Sequence, residues 1–492
     1  MQTKAAKPIN PCTVRNFLLV ISTVFLQACG GGSGNSTIPT AAPPPPTAVT
    51  STSITTTGVI TAFGSVFVNG VEYETDSAEI ESDDEIADEA DLKVGQIVTL
   101  VGSINSDGIT GTAESVKYHD RVEGPITSID RNTLVVLGQT IIIDAGTVFD
   151  DNIITQSVSG LSVGDVIEVS GFPNSNGDVV ASYVELNAPG GEFELVGIVS
   201  NLDTNNSTFD IGSQSIDFSG AVFDNFEGAE LADGNQIEVK GSNFGPDGEL
   251  MAVKVELEND DFSENDEVEV EGLISRFDSE TNFDVSGTSI TTTSTTEYES
   301  GTSTDLALDV KVEVEGSISS AGILVATKVQ FKHQENTRIE ATVDSVDPGS
   351  NQLVMLGITI VTTATTQLED DSDIDDMFFN LDKISTGDFL EVRGKLEDDG
   401  TVTATRLERD DTDDESSVRG SVQSSDGSAS LVIAGVTIQT NSLTVYRDAS
   451  ETSMTQTEFF AAARERVEVK AKGLETDTSE LTAMELELEH ND

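Results

Sequence analysis

Along most of the chain, apolar and polar residues alternate one by one, and glycines interrupt the alternation at comparable places. VIEVSG (166–171), QIEVKG (236–241), KVEVEG (311–316) and FLEVRG (389–394) all put Val, Ile or Leu on one side and mostly Glu, Lys or Arg on the other. A period of two marks a half-buried strand, so the apolar side is expected inward and the Glu and Lys outward. The strand-ending glycine recurs at Gly171, Gly241, Gly316 and Gly394, and more loosely at Gly102 and Gly473. An opening motif, Gly-x-Ile/Val-x-Ser/Asn or close to it, recurs at Gly58, Gly124, Gly197, Gly272 and Gly420, with Ala341 in the fifth place. Such recurrence predicts a repeat architecture. Six units result, at 58–119, 120–190, 191–260, 261–334, 335–412 and 413–492.

The plan within a unit is clearest in the second. VEGPITSID leads through a turn at Arg131-Asn132 to TLVVLG and QTIIIDAGTVF. A looser segment follows, then LSVGDVIEVSGF and DVVASYVEL. Asp203-Thr204-Asn205-Asn206, Asp278-Ser279-Glu280-Thr281 and Asp347-Pro348-Gly349-Ser350 occupy the matching turn elsewhere and signal hairpins. The variable segment between the third and fourth strands looks helical at Asp373–Leu381 (DIDDMFFNL) and Thr457–Glu465 (TEFFAAARE). Three strands, a short helix or loop and two more strands is the order of a five-stranded OB-type barrel. The expected fold is therefore all-β, a tandem array of about six small OB-like barrels, with a sandwich of similar modules as the rival. The recurrent glycines suit the sharp coiling of a short barrel.

The first 57 residues follow a different rule. Lys4, Lys7 and Arg15 precede a ten-residue apolar run, Phe17 to Leu26, too short for the roughly 20 residues that span a bilayer. Residues 1–28 read as a secretory signal. The run ends in Leu26-Gln27-Ala28-Cys29, which resembles the lipobox of bacterial lipoproteins. The resemblance implies cleavage between Ala28 and Cys29, lipid on the Cys29 thiol and acylation of the new amino group. With Gly30 rather than Asp after the cysteine, it implies the outer membrane. Residues 29–57, rich in Gly/Ser, then Pro, then Thr/Ser, read as a tether, a coil of about 30 Å r.m.s..

Removing residues 1–28 leaves 22 basic against 88 acidic residues, a formal charge of −66, and Cys29 as the one remaining cysteine. The folded part has no disulfide to staple it. Nucleic acid is an unsuitable partner, since phosphate binding draws on clustered Lys and Arg. An anionic lipid surface is equally unsuitable, so contact with the membrane is expected through the covalent lipid alone.

Candidate chemistry is sparse. Gly160-Leu161-Ser162-Val163-Gly164 matches a nucleophile elbow, but the elbow needs a helix after the serine and here a strand follows. Ser162 also aligns with Lys93 and Ala232 in neighbouring repeats, so the match reflects a turn consensus. His119, His333 and His490 each trail a repeat, far apart in sequence. Acidic runs at Glu81–Asp91, Asp260–Glu271, Glu369–Asp376 and Asp410–Glu415 read as solvated faces. Within them Asp371, Asp373 and Asp375 have the spacing that begins a calcium loop. Asp376 stands where an EF-hand needs glycine, however, and Asp382 replaces its bidentate glutamate, so weak Ca²⁺ screening is the most that is expected and no cofactor is. No Trp and five Tyr leave little for an aromatic sugar cleft.

The spaced Gly-x-Val-x-Ser opening, the hairpin, Leu-x-x-Gly-x-x-Val-x-Val-x-Gly and Ala-x-x-Val together resemble a bacterial domain of unknown function, family 5666, over roughly residues 58 to 490. The resemblance implies tandem domains in secreted or lipidated proteins and no reaction. Repeat 4 departs from it at Leu306-Ala307-Leu308-Asp309, which lacks the glycine found at Gly95, Gly164, Gly234 and Gly387, and repeat 6 departs with RVEVKAKG. The functional expectation is a non-enzymatic envelope lipoprotein displaying an acidic binding or spacer surface to an unidentified protein or polysaccharide. A Ca²⁺-responsive adhesin and a carbohydrate-binding or carbohydrate-active protein are the alternatives.

Overall fold

A computed structural model describes residues 51–492, apart from 83–84, 119, 145, 151, 154–155, 227, 259–261, 333–334, 375, 449–451, 490–492 and the side chain of residue 85. The proposed signal, Ala28, Cys29 and most of the tether lie outside the described residues. In repeat 2 the five main strands are Val122–Asp130, Thr133–Val136, Gln139–Ile142, Val166–Pro173 and Val179–Asn187. The first pairs with the second, the second with the third, the third in parallel with the fifth, the fifth with the fourth, and the fourth with the first. That circuit closes a barrel, leaving no free edge among the five. The same circuit closes repeat 1, repeat 3, repeat 4, repeat 5 and repeat 6. The barrel, not the sandwich, is the observed fold.

The strand-ending glycine has a steric cause. At each of the six the register between fourth and fifth strands slips by a bulge. The backbones then approach so closely that a Cβ on Gly102, Gly171, Gly241, Gly316, Gly394 or Gly473 would lie 2.1–2.5 Å from a carbonyl oxygen of the fifth strand. No side chain fits there, which is why the motif repeats.

A second turn, before the fourth strand, needs a left-handed residue. Gly95, Gly164, Gly234 and Gly387 supply it at φ +91 to +99°. Repeat 4 meets the same demand with Asp309 at φ 66° and repeat 6 with Arg466 at φ 72°. The missing glycines thus leave the geometry intact at a local cost of about 1–2 kcal/mol.

Two sequence expectations change and a third, the helix near Thr457–Glu465, holds with shifted ends. The first strand runs Ser51–Phe63, so residues 51–57 belong to a barrel and not to the tether, and their threonines pair along the strand Ile97–Asn105. Gln456–Ala462 is a helix, closed by a capping box between Thr455 and Glu458. The described residues of Asp373–Leu381 form no α-helix. The Asp370 carboxylate accepts bonds from the backbone N–H groups of Ser372 and Asp376, which folds this segment into turns before a single 3-10 turn at Leu381–Lys383.

The barrels are not separate beads. First strands join them in three pairs: repeats 1 and 4 in parallel, repeats 2 and 3 and repeats 5 and 6 antiparallel. The cores of repeats 2 and 3 form one continuous apolar cluster, as do those of repeats 5 and 6. Val59, Phe172 and Leu273 pack together and bind repeats 1, 2 and 4. A barrel of about 65 residues has a marginal core alone, and pairing offsets that weakness.

Replacing Arg466 with Gly should raise stability by about 0.5–1 kcal/mol, the relieved strain exceeding the entropy added to the unfolded chain. Thermal melting of the two forms side by side measures it, and an unchanged or lower melting temperature would contradict the turn's being strained.

Candidate functional site

The outward residues of the alternating strands are where polar chemistry concentrates. They point away from their own barrel yet are largely shielded from water, because a second barrel or a neighbouring strand covers them. Between repeats 1 and 4, Glu269, Glu271 and Glu313 are buried. The Thr56 hydroxyl donates to Glu269 at 2.8 Å, and the Val59 N–H donates to Glu271 at 2.9 Å. Lys311 reaches Glu271 at 2.9 Å, and Lys332 meets Glu313. Burial and the neighbouring Glu313 push the Glu269 carboxyl well above its ordinary range. Burial acts on Glu271 too, but Lys311, Lys332 and the Val59 N–H outweigh it and hold that group low.

Between repeats 2 and 3, Lys240 is one cation for two carboxylates, at 3.1 Å from Glu194 and 2.9 Å from Glu238. Burial and the adjacent Glu238 raise Glu194 to about 9. Asn187 donates to both Glu123 and Glu168, and the Tyr118 hydroxyl of repeat 1 donates to Glu168 at 2.5 Å.

The seam of repeats 5 and 6 holds the most arginine. Adjacent strands place Glu340 opposite Glu391 and Glu391 opposite Glu408, with Arg338 opposite Arg393 and Arg393 opposite Arg406. Like charges directly opposite repel. Pairs form instead along and diagonally across the strands: Arg338, from the adjacent strand, and Arg393, from the same one, each reach Glu391 at 2.5 Å, while Arg406 reaches Glu408 on its own strand at 2.7 Å and Glu369 across at 2.6 Å. Arg393 and Arg338 outweigh burial at Glu391 and lower its pKa, whereas burial dominates at Glu408 and raises it to about 7. The sequence reading of these glutamates as outward was right about the barrel and wrong about the solvent. The signal available was the placing of scarce basic residues inside IEVKG, KVEVEG, LEVRG and VKAKG.

The candidate calcium residues are placed otherwise. Asp371 accepts from Gln156 of repeat 2 at 2.9 Å, and its N–H donates to the Arg409 carbonyl. The Asp373 N–H donates to Asp411 at 3.0 Å, and Asp375 lies outside the described residues. The organising carboxylate is Asp370, which is buried and forked by Arg409; although burial works against ionisation, the bonds from Arg409 and Ser372 bring its pKa down to about 2. Among the described residues no three His, Cys, Asp or Glu stand close enough to hold a metal. His119, His333 and His490 lie outside them. Ser162 sits in a turn, its N–H donating to Asp165 at 2.7 Å, and the strand Val166–Pro173 follows, so the elbow geometry is absent. A cleft of about 480 Å³ in repeat 4, lined by Phe277, Glu280, Thr281 and Leu306 among others, carries one carboxylate.

Two outcomes follow from the seams. Replacing Arg406 with Leu strands Glu408 and Glu369 and should cost about 3–5 kcal/mol, read as early melting and faster hydrogen exchange in repeats 5 and 6. Glu194, Glu269 and Glu408 have raised folded pKa values, so the native chain binds more protons than the unfolded one above about pH 4.5. Their contribution is present below that pH and falls as pH rises, through about 7 for Glu408 and about 9 for Glu194. Asp370 acts oppositely, its contribution being lost as pH falls toward about 2. The melting temperature should therefore decline from mildly acid to alkaline pH, and Glu194→Gln should flatten the alkaline part. A melting temperature that climbs steadily to pH 9 would refute this.

No curated protein matches the chain. The family model of the domain of unknown function DUF5666 matches at 57–117, 123–185, 196–256, 271–330, 340–408 and 419–487, one match to each closed barrel, repeats 4 and 6 included. With six successive matches that together cover most of its length, the chain belongs to the DUF5666 family.

Proposed function

We propose that the chain is a lipid-anchored envelope protein, held to the outer membrane through Cys29, whose six-barrel body serves as a non-catalytic acidic binding or spacer surface. The observation that carries the reading is the division of labour among its polar groups. Buried charges beside the seams are paired within their own barrels, while Thr56, the Val59 N–H and Ser417 donate across to Glu269, Glu271 and Glu340. The outer turns carry carboxylates already tied to their own backbone. Asp203, Asp399 and Asp426 each accept backbone N–H bonds within their turn, which lowers their pKa and keeps them ionised. Leu26-Gln27-Ala28-Cys29 supports the anchor and the Gly/Ser- and Pro-rich stretch the stand-off. A diffuse Ca²⁺ response is a second reading, favoured because the Asp373–Asp411 bond brings two acidic runs side by side.

Cys29→Ser should move the folded body from the membrane to the soluble fraction with its melting curve unchanged. A variant that stays with the membrane would refute the anchor. Proteolysis of intact cells then separates outward display from periplasmic service. For the second reading, titration calorimetry to about 5 mM Ca²⁺, beyond the range of weak extracellular modules, should show heat and a raised melting temperature. Absence of both would eliminate it.

A further inference from the structure

Beside its fifth strand each barrel carries a short extra strand paired in parallel. The bulge glycines face Ala113, Ala181, Ala252, Ala326, Ala404 and Ala483 on the fifth strands. The first residue of the extra strand stands opposite the second residue after that alanine: Glu79, Val148, Val222, Glu297, Gln367 and Val445 in repeats 1 to 6. With the residue that directly follows the alanine, it forms a shallow seat on the barrel wall. In repeat 2 the seat is Val148 and Ser182, and the chain fills it itself. Gly95, in the left-handed turn of repeat 1, comes so close that a Cβ there would lie 2.9 Å from the Ser182 carbonyl and from Val148.

The other seats divide by chemistry. Repeat 5 has half-buried Gln367 and Thr405, the latter bonded to Glu335. Repeats 1 and 4 leave theirs exposed and polar, as Glu79 with Glu114 and Glu297 with Thr327. Repeats 3 and 6 leave theirs exposed and apolar. Val222 is 68% and Val253 49% exposed, and Met484 is 47% exposed beside exposed Val445 and Leu443. Paired exposed apolar residues at a position that turns polar wherever it merely faces water point to a covered surface.

We propose that the seats of repeats 3 and 6 receive a turn from a second copy of this chain, as the repeat 2 seat receives the turn of repeat 1. The structure supplies a spare donor. Gly164, Gly234 and Gly387 share the conformation of Gly95, and a Cβ on any of them would meet nothing within 4 Å. Val163 precedes Gly164 and is 62% exposed, whereas Asp233 and Thr386 precede the other two. The Val163-Gly164 turn is therefore the apolar one, the same Val-Gly pair as Val94-Gly95. Donor and seat lie on different parts of the chain, so the contact is head-to-tail and propagates beyond a dimer. The strong negative charge opposes it, and salt relieves that repulsion. The inference goes beyond the anchored-surface reading and does not rest on the lipid.

The test uses the full chain with Cys12→Ser and Cys29→Ser, which leaves it free of cysteine. One preparation carries Val163→Cys, and its partners carry Val253→Cys, Met484→Cys or, at the polar seat of repeat 1, Glu114→Cys. Mild oxidation of mixtures at about 1 M salt, where screening acts within about 3 Å, should join residue 163 to 253 or 484 at least about tenfold more than to 114, a difference of about 1.4 kcal/mol. Equal yields at all three would overturn the proposal. Sedimentation of the cysteine-free chain should show mass rising past the dimer with concentration, and Val253→Asp with Met484→Asp should return it to monomer. A chain that stays monomeric to about 100 µM, or one whose association survives both aspartates, would also overturn it.

Discussion

Desolvating the glutamates that point away from each barrel's own core is the cost around which the structure is arranged. A five-stranded barrel of this size fills its interior with Val, Ile and Leu, but it leaves long strands whose outer side must go somewhere. Here the outer sides of first, fourth and fifth strands are largely covered, and Glu269, Glu313, Glu194, Glu238, Glu391 and Glu408 are buried with them. A buried carboxylate left alone is prohibitive, so each must share a proton, a lysine or an arginine. The three seams use different solutions to that one requirement.

The seam of repeats 5 and 6 has enough arginine to satisfy most of its charges, and its carboxylates divide into one held low and one raised. The seam of repeats 2 and 3 has one lysine between Glu194 and Glu238, and Glu194 keeps its proton. Repeats 1 and 4 combine both, with Glu271 ionised against Lys311 and Glu269 held high beside Glu313. Cohesion is thus coupled to proton activity, and the coupling arises from how few basic residues the chain spends and where it spends them. Apolar joints carry the remaining cohesion, through shared cores within two of the pairs and through Val59, Phe172 and Leu273 between repeats 1, 2 and 4.

This arrangement bears on function through what it leaves outside. The five strands of each closed barrel leave no edge for pairing, and the seams keep their charges to themselves. The exposed surface includes acidic turns, ionised by their own backbone bonds, and the apolar seats on repeats 3 and 6. A body of this kind is suited to standing in water at high negative charge while presenting a small number of specific contacts.

The sequence by itself determined the barrels. Period-two alternation marked the strands, and the recurrent glycines marked both the bulge, where a Cβ would strike a carbonyl, and the turn that needs a left-handed residue. These are local constraints, so they are written locally, and even the exceptions at Asp309 and Arg466 were visible as missing glycines. The tertiary structure alone decided which barrels pair, because pairing joins residues far apart in the chain and uses the same consensus face in every repeat. The first strand of repeat 1 pairs with that of repeat 4 and not with that of its neighbour, and nothing in the spacing of Val and Gly distinguishes those partners. For the same reason the Glu of Val-Glu-Val-Glu-Gly reads as solvent-facing in one dimension: alternation shows which side a residue takes, and only a second barrel determines whether that side is wet.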